Sequence, residues 1–437
     1  MLQNAKPGGA LQSDLHPPLS RHEAAVEADR CYFCHDAPCT IACPTDIDVP
    51  LFIRQIQAGN PLGAATTILD ENILGGMCAR VCPTETLCEQ ACVRQTAEDQ
   101  PLKIGALQRF ATDSLQRGAE HPYQRAADTG KRIAVVGAGP AGLSCAHRLA
   151  MYGHAVTIFD ANPKPGGLNE YGIAAYKAVD DFAQKEVEFI LGIGGIELKQ
   201  GVRLGSDIQL DALCSDYDCV FLGIGLGDVN NPAITGDGIN GVHDAVDFIA
   251  ELRQSSDYSK LDAGNQVVVI GGGMTAIDAA VQSKMLGAAE VTVAYRRGAQ
   301  QMNASRYEQE LAQTQGVLIR HFLQPLEFTD DGNGQLTGVV FEQTTLDDSN
   351  KLVPTGKKIS IAADRVLKAV GQTLNATPLG STSLELKHNR IVVDRERRTS
   401  QSTIFAGGDC IVDGEDLTVT AVQDGKLAAE AMHRQLC

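Results

Sequence analysis

The sequence predicts an α/β chain: a small all-helical domain at the N-terminus, followed by two domains each built on a parallel sheet. Three observations carry this. Eight of the 13 cysteines fall between Cys31 and Cys92. A strand, a glycine turn and a helix begin at Lys131, and the same unit returns at Gln266. A supersecondary unit that occurs twice constrains architecture more than any local propensity does.

At 437 residues, two to four domains are expected, and 43% hydrophobic residues suffice for a core. No run approaches the roughly 18 apolar residues that a bilayer crossing needs. The stretch from Met1 to about Ser20 lacks a basic region followed by an apolar run, so it reads as a loose arm and not as a secretory signal. A net charge of −17 disfavours nucleic acid and anionic membranes as partners. A cytoplasmic location is expected. There, clustered cysteines point to metal or redox chemistry and not to disulfides.

The helical domain is expected over residues 20–118. Leu51, Ile53, Ile56, Leu62, Ala65, Ile68 and Leu69 recur at helical spacing, and Gly59, Asn60 and Pro61 divide them into two short helices. The first cysteine block reads Cys31-x2-Cys34-x4-Cys39-x3-Cys43-Pro44; the second reads Cys78-x3-Cys82-Pro83, followed by Cys88 and Cys92. Thiolates are soft ligands, and four of them hold a [4Fe–4S] cube. Proline after a ligand turns the chain away before a helix can form. Structural zinc usually takes two Cys-x2–4-Cys pairs. Four cysteines within 13 residues favour two [4Fe–4S] clusters instead. Spacing alone does not assign ligands, and Cys78 is as well placed as any.

These blocks resemble the N-terminal domain shared by dihydropyrimidine dehydrogenase and the small subunit of glutamate synthase. The resemblance implies interleaved ligands: Cys31, Cys34, Cys39 and Cys92 for one cluster, and Cys43, Cys82 and Cys88 for the other. It also implies a non-cysteine fourth ligand some 16 residues after the last cysteine, which falls on Gln108. Dihydropyrimidine dehydrogenases use Gln there, whereas glutamate synthase small subunits carry Glu. On this reading Cys78 is a neighbour that does not ligate.

After a polar linker, roughly Gln116 to Gly130, the strand Arg132 to Val136 runs into Gly137-Ala138-Gly139-Pro140-Ala141-Gly142. The first glycine permits the tight turn, the second lets the backbone approach a pyrophosphate, and the third lets helix and strand pack closely. The helix N-terminus adds N–H donors. The next strand ends at Asp160, where a carboxylate accepts the ribose hydroxyls of an adenine dinucleotide. Far downstream, Phe405-Ala406-Gly407-Gly408-Asp409 matches the flavoprotein motif whose aspartate bonds the ribityl chain. A closing helix from about Thr420 would aim its N-terminus, with Thr420 and Ala421, at a flavin ring. Gly167 and Leu168 join the expected FAD residues.

The second unit reads Gly271-Gly272-Gly273-Met274-Thr275-Ala276, with Gly271, Gly273, Thr275 and Ala276 as contacts and alanine at the third glycine position. Its acidic position is replaced by Tyr295-Arg296-Arg297. Arginines there remove the ribose acceptor and offer a bidentate site for a 2′-phosphate, with Arg306 able to join. This argues for NADPH over NADH. The expected layout is an FAD domain, 129–232 and 370–437, interrupted by a nucleotide domain, 233–369. The chain should cross within Cys219 to Gly225 and Val366 to Gly371. This is the Rossmann-like scaffold of disulfide-reductase flavoproteins, but without a cysteine pair beside the flavin. Cys214 and Cys219 read as buried thiols on or near a strand. The ten histidines form no spaced metal pair, and no Ser-His-Asp constellation is present.

Nicotinamide gives two electrons as hydride, clusters accept one, and a flavin does both. No catalytic side chain is needed, and the acceptor must belong to a partner. From about Ser20 onward the chain resembles the PreT-type subunits of bacterial NAD-dependent dihydropyrimidine dehydrogenase. The resemblance is carried by Cys31-Tyr32-Phe33-Cys34-His35-Asp36-Ala37-Pro38-Cys39 and Cys78-Ala79-Arg80-Val81-Cys82-Pro83-Thr84-Glu85. It implies a heterodimer or heterotetramer with an FMN-containing catalytic subunit that reduces uracil or thymine. Arg296-Arg297 depart from what an NADH-specific member needs. The alternatives are a glutamate synthase small subunit feeding a glutamine amidotransferase, against which Gln108 argues, and a redox-sensing scaffold without turnover.

Overall fold

The computed structural model describes residue 11 and residues 13–116, 121–380 and 383–437. The chain divides into two units. One comprises His16–Glu170, Asp181–Asp228 and Thr373–Cys437; the other comprises Met1–Leu15, Tyr171–Asp180 and Val229–Gln372. The helical domain boundary expected at residue 118 lies outside the described residues.

In the first unit, helices Arg21–Asp29, Val49–Gln57, Pro61–Glu71 and Ile104–Gln116 enclose a core with Phe52, Ile53, Ile68 and Leu107 fully buried. Local chemistry sets the helix starts. Ser20 and Glu23 form a reciprocal capping box. Asn60 accepts the Gly63 N–H at 2.9 Å, with Pro61 at the first helical position and Gly59 in the left-handed region before it.

Among the described residues, the same unit carries a five-stranded parallel sheet in the order Ile404–Ala406, Cys219–Leu222, Arg132–Val136, Ala155–Asp160, Ile196–Gln200. Segments far apart in sequence thus share one sheet. The closing helix, Thr418–Leu436, starts two residues before the expected Thr420. It lies along helix Pro140–Met151, where a Cβ on Gly425 would stand 2.1 Å from the Ala141 carbonyl oxygen. Only glycine allows that approach. Cys219 is buried on its strand, but Cys214 sits half-buried on helix Leu210–Asp216 and not on a strand, because Leu210 and Leu213 take the inward face.

The second unit has, among its described residues, a five-stranded parallel sheet in the order Val242–Asp244, Arg365–Ala369, Gln266–Gly271, Glu290–Tyr295, Leu318–His321. It also has an antiparallel meander, Leu323–Asp330, Leu336–Leu346 and Leu352–Ala362, that the sequence patterns did not announce. Two assignments change. Residues 171–180, expected in the FAD domain, belong to this unit. The Tyr176 hydroxyl donates to Asp278 Oδ1 at 3.0 Å, and the Lys177 ammonium lies 2.8 Å from Asp278 and 3.0 Å from Glu308. The arm is anchored where it is described: Leu11 is buried in this core, and the Leu15 N–H donates to Tyr176 O. The crossings fall at Asp228/Val229 and Gln372/Thr373, just past the expected strands. Among the described residues no helix is long and apolar enough to cross a membrane.

Candidate functional site

The cysteines form two groups. Cys31, Cys34, Cys39 and Cys92 line one pocket with the apolar side chains of Val49, Pro50, Ile53, Leu102 and Ile104. It holds about 370 Å³ of empty space, part of it open to solvent. Burial, reinforced by Cys92, pushes the Cys39 thiol up to about 12; burial also raises Cys31, with Cys34 and Cys92 adding to it. Burial and the neighbouring sulfurs disfavour the Cys31 and Cys39 thiolates until a cation joins them, and bound iron reverses that balance. This donor set fits a [4Fe–4S] cube.

Cys43, Cys82 and Cys88 form the second group. The Cys82 thiol is raised by a hydrogen bond with Cys78, by burial, and by the Cys78, Cys88 and Cys43 sulfurs; Cys88 is raised by burial, then by Glu89 and Cys43. Both candidates for a fourth ligand stand near. Cys78 touches Cys82. Gln108 is buried and its Nε2 donates to Gly75 O at 2.7 Å, at the start of the helix Gly75–Val81 that carries Cys78 and leads into Cys82. With its nitrogen so engaged, the amide oxygen is the atom left to ligate.

The expected FAD residues gather at the C-terminal edge of the first unit's sheet, where such folds take ligands. Gly137 has φ +101°, and a Cβ there would meet Gly223 O at 2.2 Å. A Cβ on Gly142 would meet Gly137 O at 1.9 Å. Gly139, at the start of helix Pro140–Met151, faces open space except for Gly167, whose own Cβ would press on it at 2.7 Å. That leaves backbone open to the close approach a pyrophosphate would need, with Leu168 following Gly167. Asp160 accepts the Ala138 N–H at 2.6 Å and the Asn162 N–H at 2.7 Å, one on each oxygen. A carboxylate oxygen has a second lone pair, so both remain able to take ribose hydroxyls. Burial raises its pKa against these bonds.

Asp409 is pushed up to about 7 by burial and then by Asp416, with the Arg390 charge opposing. The Arg390 guanidinium also donates to the Asp409 carbonyl oxygen. Gly408 has φ +76°, and its N–H donates to Asp424 Oδ2 at 2.8 Å. Asp424 is in turn paired with Arg397 at 2.6 Å. Sequence reading missed this second layer, because the link from the closing helix back to the Gly-Asp turn exists only once the helix has docked. At the helix start, the Thr420 hydroxyl donates to Glu415 at 2.9 Å and the Ala421 N–H donates to Leu417 O. The first-turn N–H groups before Ala421 are therefore the donors a ligand would meet.

In the second unit the nucleotide turn repeats this logic. A Cβ on Gly271 would meet Ala369 O at 2.3 Å, one on Gly272 would strike the Tyr295 ring at 2.5 Å, and Gly273 faces open space before helix Met274–Leu286. Thr275 lies in the first turn of that helix, and Ala276 is fully buried. Arg296 is exposed, and its carbonyl oxygen accepts from Thr344 Oγ1 at 2.7 Å. The Arg297 carbonyl accepts from the Phe322 N–H, while its buried Nε has no hydrogen-bond partner among the described residues. An orphaned guanidinium nitrogen at this edge fits an anion. Arg306, by contrast, is 92% exposed and pairs with Glu310 at 2.8 Å on its own helix.

Two family models cover the chain: dihydropyrimidine dehydrogenase domain II, 4Fe-4S cluster, over residues 11–119, and pyridine nucleotide-disulphide oxidoreductase over residues 131–425. The chain is 35% identical to a glutamate synthase [NADPH] small chain of Escherichia coli, covering 96% of this chain and 93% of that one. It is also 35% identical to the NAD-dependent dihydropyrimidine dehydrogenase subunit PreT of Salmonella typhimurium, covering 97% of each. Among solved structures, Mycobacterium tuberculosis FprA in complex with NADPH matches with a TM-score of 0.58 at 20% identity, over 70% of this chain and 84% of that one. At that identity the likeness speaks to the fold.

Proposed function

The chain belongs to the family of flavin- and iron–sulfur-containing oxidoreductase subunits that includes the PreT subunits of dihydropyrimidine dehydrogenase and the glutamate synthase small chains, and from that premise we propose that it is the electron-input subunit of a pyrimidine-reducing enzyme. On this reading it oxidises NADPH at FAD and supplies an FMN-containing partner that reduces uracil or thymine.

When bound, FAD takes an electron pair as hydride and the clusters carry electrons singly. The chain's own residues hold and separate these groups. Gly137, Gly139, Pro140, Ala141 and Gly142, with the Pro140–Met151 helix N-terminus, would receive the FAD pyrophosphate; Asp160 would take the adenosine ribose. Asp409 would bond the ribityl chain, while Asp424 and Arg397 hold the turn that presents it. Gly271, Gly273, Thr275 and Ala276 would accept NADPH, with Arg296 and Arg297 on its 2′-phosphate. Cys31, Cys34, Cys39 and Cys92 would hold one cluster, and Cys43, Cys82, Cys88 and Gln108 the other.

The observation that carries the choice of pyrimidine chemistry is Gln108, buried against the helix that leads to the second sulfur group. One observation favours the glutamate synthase reading: that relative's name specifies NADPH, which suits Arg296 and Arg297. Copurification with the native partner, followed by NADPH oxidation assays with uracil, thymine, or 2-oxoglutarate plus glutamine, decides between them. Turnover with a pyrimidine alone is expected. Glutamate formation without pyrimidine turnover would transfer the chain to the second reading.

A further inference from the structure

On the first unit, away from the cysteine groups, three side chains from distant segments converge. His154 precedes the strand Ala155–Asp160 and is fully buried. Its Nε2 lies 3.0 Å from His433 Nδ1 on the closing helix. Cys437 follows one turn after His433, and its N–H donates to His433 O at 3.1 Å, so the helical path continues and the i,i+4 pair shares a face. The two imidazole nitrogens and the sulfur all lie within 4.8 Å of one another.

We propose that His154, His433 and Cys437 form a site for a divalent transition-metal ion, zinc first, separate from the two clusters. Imidazole nitrogens and a thiolate are donor types that tetrahedral zinc takes, and three of them leave a fourth position open. Around such an ion, ligand atoms stand about 3.3 to 3.7 Å apart, so the imidazoles need only part slightly and the sulfur close in. The rings are already oriented. The Thr129 hydroxyl stands 2.7 Å from His154 Nδ1 and has the Gly153 carbonyl at 3.5 Å to take its own proton. It can therefore accept Nδ1–H and leave the lone pair of Nε2 facing His433, the outer-layer arrangement that metal-bound histidines use. The His433 ring stacks on Tyr152 at 4.2 Å, 12° from parallel.

Binding would exchange the Cys437 thiol proton, released to solvent, for a zinc–sulfur bond. It would pin the far end of the helix whose first turn lies at the flavin edge. The donors come from sites 279 residues apart, so sequence spacing could not expose them.

The test uses anaerobic holoprotein loaded with one equivalent of zinc chloride and desalted. Elemental analysis should find one zinc per chain with iron unchanged. Zinc-edge absorption should show a single sulfur at about 2.3 Å with nitrogen ligands. Cys437→Ser, at an exposed position, should weaken zinc binding at least tenfold, as should His433→Gln, and zinc should raise the melting temperature of the parent only. Equal zinc uptake by Cys437→Ser, no uptake by the parent, or several sulfurs per zinc would each overturn the proposal.

Discussion

The carboxyl group of Glu186, from the flavin-side domain, accepts the backbone N–H of Gly76 in the helical domain at 2.8 Å. It also takes the Met77 N–H, at 3.1 Å. A Cβ on Gly76 would stand 2.6 Å from the Phe182 ring and 2.7 Å from Glu186 Oε1, so this contact needs glycine. Arg80 lies over the Phe182 ring and pairs with Asp113 at 2.8 Å. The helix entering the second sulfur group is thus tied to the domain that carries the flavin motif.

Glu186 makes a pH prediction. Burial holds its carboxyl up to about 8, against the two N–H bonds and Arg80. The native state therefore keeps a proton that the unfolded chain releases in the ordinary glutamate range. The stability this gives is complete below that range and is lost as pH rises through about 8. The slope is at most about 1.4 kcal/mol per pH unit. Glu186→Gln should flatten it. Thermal melts of anaerobic holoprotein from pH 5.5 to 8.5 measure this, and an equally steep slope in the variant would refute it.

Cys78 and Gln108 compete for the fourth position of the second cluster, and iron content separates them. With Gln108 as the ligand, Cys78→Ser keeps about eight irons per chain, the content of two cubes, because it loses only the hydrogen bond to Cys82. Gln108→Leu should then shift the potential or the paramagnetic signal of one cluster alone. Loss of four irons in Cys78→Ser would reverse the assignment.

Much of this was legible because each glycine turn is local. Strand, turn and helix are adjacent in sequence, and the clash each Cβ would make lies within the unit or on the next strand. The cysteine groups were legible as a set, but their partition needed the fold, since Cys92 joins Cys31 only when the helices close. Placement of residues 171–180 was not legible. Nothing in the sequence singles out Tyr176 and Lys177; only in the fold do Asp278 and Glu308, over a hundred residues on, present buried carboxylates to them. The histidine site was hidden for the same reason. Arg306, expected to join the phosphate site, pairs with Glu310 on its own helix, a partner set by local i,i+4 spacing.

Gly425 lets the closing helix meet Ala141. Gly425→Ala must push the two helices apart, an overpacking cost of about 1–3 kcal/mol. The helix start and the turn holding Gly408 and Asp409 would shift with it, since Asp424 bonds Gly408. Faster flavin release on dilution is the expected result, with iron content unchanged. Unaltered flavin retention together with an unaltered melting temperature would show that the contact tolerates a methyl group.

Nucleotide choice gives the sharpest test of the second unit. The buried Nε of Arg297 lacks a partner among the described residues, and burying a donor unsatisfied is costly, so a 2′-phosphate that meets it recovers that cost. A charge-assisted bond contributes about 1.5–3 kcal/mol, roughly a 10- to 150-fold change in binding. Arg297→Ala should therefore raise KM for NADPH at least tenfold and leave KM for NADH within about twofold, since NADH has no phosphate to lose. Arg297→Lys should recover little, because a point charge cannot reproduce the planar fork. Arg306→Ala should change neither constant by more than about threefold, because an exposed pair with Glu310 is worth under about 1 kcal/mol. If both nucleotides weaken equally in Arg297→Ala, the arginine supports the loop and does not read the phosphate.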